Sequence, residues 1–258
     1  MRLSNKFLVV TAAGLLSMFC GIGMAKADGL ADLKAALVRL QGQAPLKATI
    51  EAKTWSRQGE GKELEETNGL ANVAIDDGAR GLQVLYSKEM LSRLEVEEHA
   101  KEKNPKTKTP TLSAFKEFNS TELRPMISAS GSMLRALEKH VLKSEKTENY
   151  NGKPARLLSF DFPIEKLPEE ARKYVKKFEG SLDIWIAADG TPLASRAIQN
   201  MSGRAFVVVS FDQKNESESV YNQVGDRLVT VRKETKNSSS GMGEKGESKV
   251  VKTLQVQT

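Results

Sequence analysis

"LKSEKTENYNGKPARLLSFDF", residues 142–162, decides the fold. Asn151-Gly152 stands at its centre, a pair that accepts the positive φ angles a tight type I′ turn requires. The turn's twist matches that of two antiparallel strands, so Leu142–Tyr150 and Pro154–Phe162 are expected to form a hairpin. Downstream, a polar helix is expected over about Pro168–Phe178. Then Leu182, Ile184 and Ile186 alternate in "SLDIWIA", "ADG" makes a turn, and "TPLASRAIQN" returns. "AFVVVSFD" (205–212) is apolar on both faces and reads as a central strand. In "SVYNQVGDRLVTVRKE" (219–234) the apolar phase shifts across Gly225-Asp226, a turn or bulge. "SSSGMGEKG" (238–246) reads as a flexible loop, and Val250, Leu254 and Val256 as a closing strand.

Upstream, Leu30, Leu33, Leu37 and Leu40 recur at helical spacing. Asp28 is placed to cap the start, and Gly42 and Pro45 stop the run. From Leu46 the period becomes two: Ala48, Ile50 and Ala52 alternate with Thr49, Glu51 and Lys53. Strands at about Leu70–Asp76 and Leu82–Ser87 follow, with Asp76-Asp77-Gly78 between them. Residues 88–140 interrupt this meander with helical patterns and the break "NPKTKTP" (104–110). Two readings of the insert's apolar residues, Phe115, Phe118, Met126, Ile127, Met133, Leu134 and Leu137, stay open. They pack on the sheet as plain core, or they form a lid of adaptable Met side chains over a greasy cavity. About ten or eleven antiparallel strands with helices at the start and middle give an α+β fold on one large curved sheet, a half-barrel.

The first 27 of the 258 residues have the parts of a secretory signal: Arg2 and Lys6, an apolar run Phe7–Met24, and Ala25-Lys26-Ala27 before Asp28. Cleavage after Ala27 removes Cys20, the only cysteine, and leaves residues 28–258 as a single domain. The formal charge falls from +6 to +3 once Arg2, Lys6 and Lys26 are gone. Phe19 beside Cys20 is too bulky for a lipidation site. The expected location is the periplasm, and transient membrane contact is compatible with the residual positive charge.

No reactive constellation emerges, so a non-enzymatic protein without cofactor or metal is expected. His99 lies among Glu95, Glu98 and Glu102, but interleaved lysines make this a solvated helix face. His140 ends a helix, where an imidazole suits the dipole. Ser113 and Lys116 match an SxxK spacing, and no KTG follows. No phosphate-binding glycine motif occurs. The aromatic residues sit in apolar strands rather than among basic ones, which argues against nucleic acid.

The segments "ADLKAALVRLQGQAPLKATIEAK" (31–53) and "LDIWIAADGTPLASRAI" (182–198) resemble the lipoprotein-carrier (LolA/LolB-like) superfamily, in which helices plug the concave face of an open half-barrel. The sequence departs from that family's early Arg-Pro: Arg80 lacks a proline, and Arg124-Pro125 falls in the helical insert. The resemblance implies a half-barrel with an apolar concave surface. With the residue reading it leads to a binding protein for a lipid, acyl chain or other apolar ligand, whose cavity candidates are Met126, Met133, Phe160, Trp185 and Phe206. The alternative is a regulatory protein that binds an envelope protein, offering Leu46–Arg57 or Lys249–Gln257 as an edge to a partner strand.

Overall fold

In chain order the elements are α1 Gly29–Arg39, β1 Leu46–Gln58, β2 Glu65–Gly78, β3 Gly81–Leu85, α2 Lys88–Lys103, α3 Pro110–Phe115, α4 Ser120–Ile127 and α5 Ala129–Leu137. They continue with β4 Val141–Tyr150, β5 Lys153–Asp161, α6 Glu169–Arg172, β6 Val175–Ile186, β7 Pro192–Ala205, β8 Val209–Val224, β9 Arg227–Gly241 and β10 Glu244–Val256. This computed structural model describes residues 28–205, 209–241 and 244–257; residues 1–27, on which the expected leader and Cys20 fall, lie outside them.

All ten strands join one antiparallel sheet in the order β3-β2-β1-β10-β9-β8-β7-β6-β5-β4, not closed into a barrel. The β4–β5 hairpin forms as expected, with Asn151 at φ 51° and Gly152 at φ 78°. The first helix forms too: the Asp28 carboxylate accepts the amides of Leu30 and Ala31, and Leu33, Leu37 and Leu40 are sealed from solvent. Each such leucine contributes roughly 1.5–3 kcal/mol through burial.

Four local expectations are corrected. The helix expected over 168–178 is only the four residues of α6; Val175–Phe178 already belongs to β6, where the register sets Phe178 opposite Met201. β-branched and aromatic side chains there favour the pleated surface over a polar helix. The segment 205–212 is not one strand, since β7 ends at Ala205, β8 begins at Val209, and these two residues pair with each other. Ser238–Gly241 and Glu244–Gly246 are strand rather than flexible loop, because β8 and β1 extend the ladder on either side of the β9–β10 hairpin. Finally β1 and β10 are not edges. They pair with each other inside the sheet, and the edges are β3 and β4.

Helices cover one face of the sheet in two clusters. Ala48, Ile50, Val73, Ile75 and Leu254 pack beneath α2, α3 and α4 through Met90, Leu94, Ala114, Leu123 and Met126, with Phe118 from the turn after α3. Leu158, Phe160, Leu182, Ile184 and Ile186 pack beneath α1 and α5 through Leu33, Leu37, Met133 and Leu137. The Ser130 hydroxyl donates to the Leu40 carbonyl at 2.8 Å, so α5 is tied to the end of α1 by a buried polar contact.

Candidate functional site

Register brings the site together. On the helix-covered face one row runs Ala71, Ala52, Lys252, Lys233, Ser219, Ser195, Ile184, Leu158 across eight strands. Where α4 meets α5 above the right half of this row, a cavity of about 310 Å³ remains. Its roof is Pro125, Met126, Ala129, Ser132, Met133 and Ala136; its floor is Leu182, Ile184 and Ala197, with Ser195, Ser217, Ser219, Tyr221, Thr230 and Lys233 at the polar side. In α5, Ala129, Ser132, Met133 and Ala136 fall at three- and four-residue spacing, so one face of the helix meets the cavity. Pro125 lies inside α4, and the Thr230 hydroxyl donates to its carbonyl at 3.1 Å, which fixes the roof to β9.

The polar side is held by short contacts. The Ser195 and Tyr221 hydroxyls lie 2.7 Å apart. Burial pushes the Tyr221 phenol up, against the lowering effect of its hydrogen bonds with Ser195 and Ser219, so it stays neutral. Beside the cavity, Lys252 is almost wholly buried, yet its Nζ lies 2.7 Å from Glu122 and 2.8 Å from Glu117. Lys233 approaches the same Glu122 oxygen at 3.5 Å. Burial pushes the Glu122 carboxyl up, but hydrogen bonding and charge from Lys252 and Lys233 outweigh it and hold the group below its ordinary value.

Of the five residues singled out from sequence, Met126 and Met133 line this cavity. Phe160 is sealed into the core beneath α1 and α5 and is not among the lining residues. Trp185 is a correction: alternation turns it to the opposite face from Ile184 and Ile186, where its indole N–H donates to Glu148 at 3.0 Å and its ring lies 5.7 Å from Tyr150. Phe206 lies outside the described residues. Sequence reasoning passed over Lys252, although it stands in phase with Val250 and Leu254, a charge on an otherwise apolar face.

Other candidates have ordinary partners. The Ser113 hydroxyl donates to the Thr109 carbonyl at 2.8 Å, a helical back-bond. Among the described residues, His99 pairs only with Glu102, on an exposed face. The His140 ring stacks on Phe162 at 4.9 Å, and its Nδ1 lies 2.7 Å from the Ala136 carbonyl near the end of α5. Among the described residues no three His, Cys, Asp or Glu side chains are placed to hold a metal, and no helix is long and apolar enough to cross a membrane. A larger recess, about 480 Å³, sits at the far end of the sheet among charges of both signs, including Lys177, Glu179, Asp212 and Lys214. Mixed signs give it no preference for one ion. No family model, curated protein or solved structure matches this chain.

Proposed function

We propose that the chain is an exported, non-enzymatic binding protein that holds an acyl chain or similarly slender apolar molecule between α4–α5 and strands β6–β9. The observation that carries the reading is the 310 Å³ cavity, roofed by two methionines from successive helices and floored by aliphatic strand residues. Its size falls at the lower end of small-molecule sites, roughly 300–1,000 Å³. Methionine's unbranched chain adapts to ligands of varied shape. The hydroxyls of Ser195, Tyr221 and Thr230 and the Lys233 ammonium gather on one side, suiting a ligand with one polar end.

The test uses strand parity. Ala197 lies on the floor, and Ile198, its neighbour, points to the opposite face. Binding of the apolar fluorophore N-phenyl-1-naphthylamine, displaced by decanoic acid, is expected to be lost in Ala197→Phe and kept in Ile198→Phe. Equal binding by both variants would discard the cavity as the site. For export, the intact mass of protein isolated from its host is expected to correspond to a chain beginning at Asp28; a mass retaining residues 1–27 would remove that part.

The alternative, an envelope-protein partner, draws its support from an exposed sheet edge. Among the described residues the outer edge of β4, ten residues long, pairs with no strand, and Val141 is exposed. Lysines and glutamates along it (Lys143, Glu145, Lys146, Glu148) discourage indiscriminate strand addition, so a partner would need complementary charge. A cysteine-directed crosslinker at Ser144→Cys that captures no reproducible envelope protein would end this reading.

A further inference from the structure

On the other side of the α4–α5 junction lies a second recess, about 420 Å³, whose charge balance is one-sided. The α1–β1 loop (Gln41–Gln43), the β2–β3 hairpin, the start of β9 and the α4–α5 junction enclose it, and its charged lining residues are Arg124, Arg135, Arg227 and Asp77. Arg227 is 4% exposed and pairs with Asp77, yet its buried Nε finds no acceptor among the described residues. Neither Arg124 nor Arg135 forms an ion pair among the described residues. Three guanidinium groups thus face one carboxylate.

The backbone adds to the imbalance. Helix α5 begins at this recess through Ser128 and Gly131, and the Ser128 side chain caps none of its first-turn amides. Free amides and the helix dipole make that end electropositive. A Cβ built at Gly131 would lie 3.6 Å from Arg135 Nη1, so the Arg135 guanidinium sits over this same positive end. A cation beside a helix N-terminus is unfavourable unless an anion stands between them.

We propose that this recess binds a phosphate group. Two uncompensated guanidinium charges are matched by a phosphate monoester, which carries about −1.5 to −2 near neutral pH. Its oxygens suit the forked donors of arginine and the open amides of α5. Arg227, held by Asp77 at the wall of the recess, keeps a buried Nε without an acceptor among the described residues, so its positive charge is incompletely offset there. Pro125 and Ser132 line both this recess and the apolar cavity. A phosphorylated amphiphile therefore reaches both, whereas a soluble phosphate compound needs only this one. The inference does not rest on the apolar-cavity reading, since every group it uses lies in this recess.

The experiment compares the unaltered full chain with Arg124→Gln/Arg135→Gln, which leaves the Arg227–Asp77 pair, Met126 and Met133 in place. Both arginines are exposed and neither forms an ion pair among the described residues, so matching unfolding curves are the check that the variant folds. Inorganic phosphate is titrated calorimetrically at low ionic strength. In parallel, flotation is measured with phosphatidylcholine vesicles with and without phosphatidic acid. Binding weakened about tenfold or more by the double substitution is expected, one tenfold step corresponding to the loss of a single charge-assisted contact. If inorganic phosphate shows this loss, the ligand is a soluble phosphate compound. If only phosphatidic acid vesicles show it, the phosphate belongs to a lipid headgroup. No binding of either probe, or binding indifferent to the substitutions, overturns the proposal, and the fluorophore test of the apolar cavity is unaffected by that result.

Discussion

Strand β9 begins and ends in two different environments. Arg227, Leu228, Val229 and Thr230 are all buried, wedged among α4, α5 and the α1–β1 loop. Ten residues on, the same strand carries Asn237 and Ser239, where none of the described helices covers the sheet. There one row reads Thr67, Ser56, Ser248, Asn237, Asn215, Gln199 and Gly180, without a charge or a large apolar group. Cross-strand contacts hold it, such as Ser56 to Thr67 at 2.6 Å and Asn237 to Ser248 at 3.4 Å. The covered end is stabilised by area removed from water, and the open end by its backbone ladder and by pairs of neighbouring side chains. Strand length in this protein is therefore set by pairing, while helix placement decides where a core exists.

The contrast is broken most forcefully at the covered end. Leu158→Ala, which empties a fully buried position beneath α1 and α5, is expected to cost about 2–5 kcal/mol in urea unfolding. A loss under 1 kcal/mol would mean that this cluster is not a packed core. Next comes the buried charge between the two clusters. Glu122→Ala alone leaves Lys252 with Glu117, but Glu117→Ala/Glu122→Ala strands an unpaired buried ammonium and is expected to cost roughly 3–5 kcal/mol. The double loss should exceed the sum of the single losses, and simple additivity would show that the two carboxylates do not share Lys252.

On the face opposite the helices, Glu234 tests how much charge pairing contributes away from the helix-covered core. A hydrogen bond from Lys249 leads in lowering its carboxyl; burial opposes this, and Lys236 adds to the lowering, so the group is held down to about 2. A carboxyl depressed in the folded state contributes stability above its ordinary value of 4.5, and that contribution is lost as pH falls toward 2. Between these limits Glu234→Gln should lose stability with acid less steeply than the unaltered chain; parallel curves would deny Glu234 that role. The smallest effect is expected at Gln213→Ala on the open row beyond Asn215, within about 0.5 kcal/mol, and a larger loss would reveal a hidden core there.

The parts of the fold written in local chemistry were legible. The leucine spacing of α1, its Asp28 cap and the Asn151-Gly152 turn all specify structure within a few residues. Segments whose state depends on distant neighbours were not. Ser238–Gly241 has the composition of a loop, and only β8 and β10 on its flanks make it a strand. Strand order was hidden for the same reason, since the neighbours of β1 and β10 come from opposite ends of the described chain. For the site, Met126 and Met133 stood out as apolar residues in need of a partner. The face occupied by Trp185 required parity that the pattern alone did not assign. The arginine recess gave no linear signal, because Arg124, Arg135 and Arg227 come from different elements.

The pairing of β1 with β10 also governs how the chain reaches this state. Ile50 meets Leu254 across 204 positions of sequence, so the seam that joins β3-β2-β1 to the rest of the sheet forms only after residues near 254 have been synthesised. Until then β1 and β9, each more than ten residues long, present unsatisfied backbone edges of the kind that invite pairing between molecules. Closing so wide a separation is slow compared with forming the local hairpins on either side. The edges most in need of protection before β10 is in place are thus those of β1 and β9, the two that β10 joins.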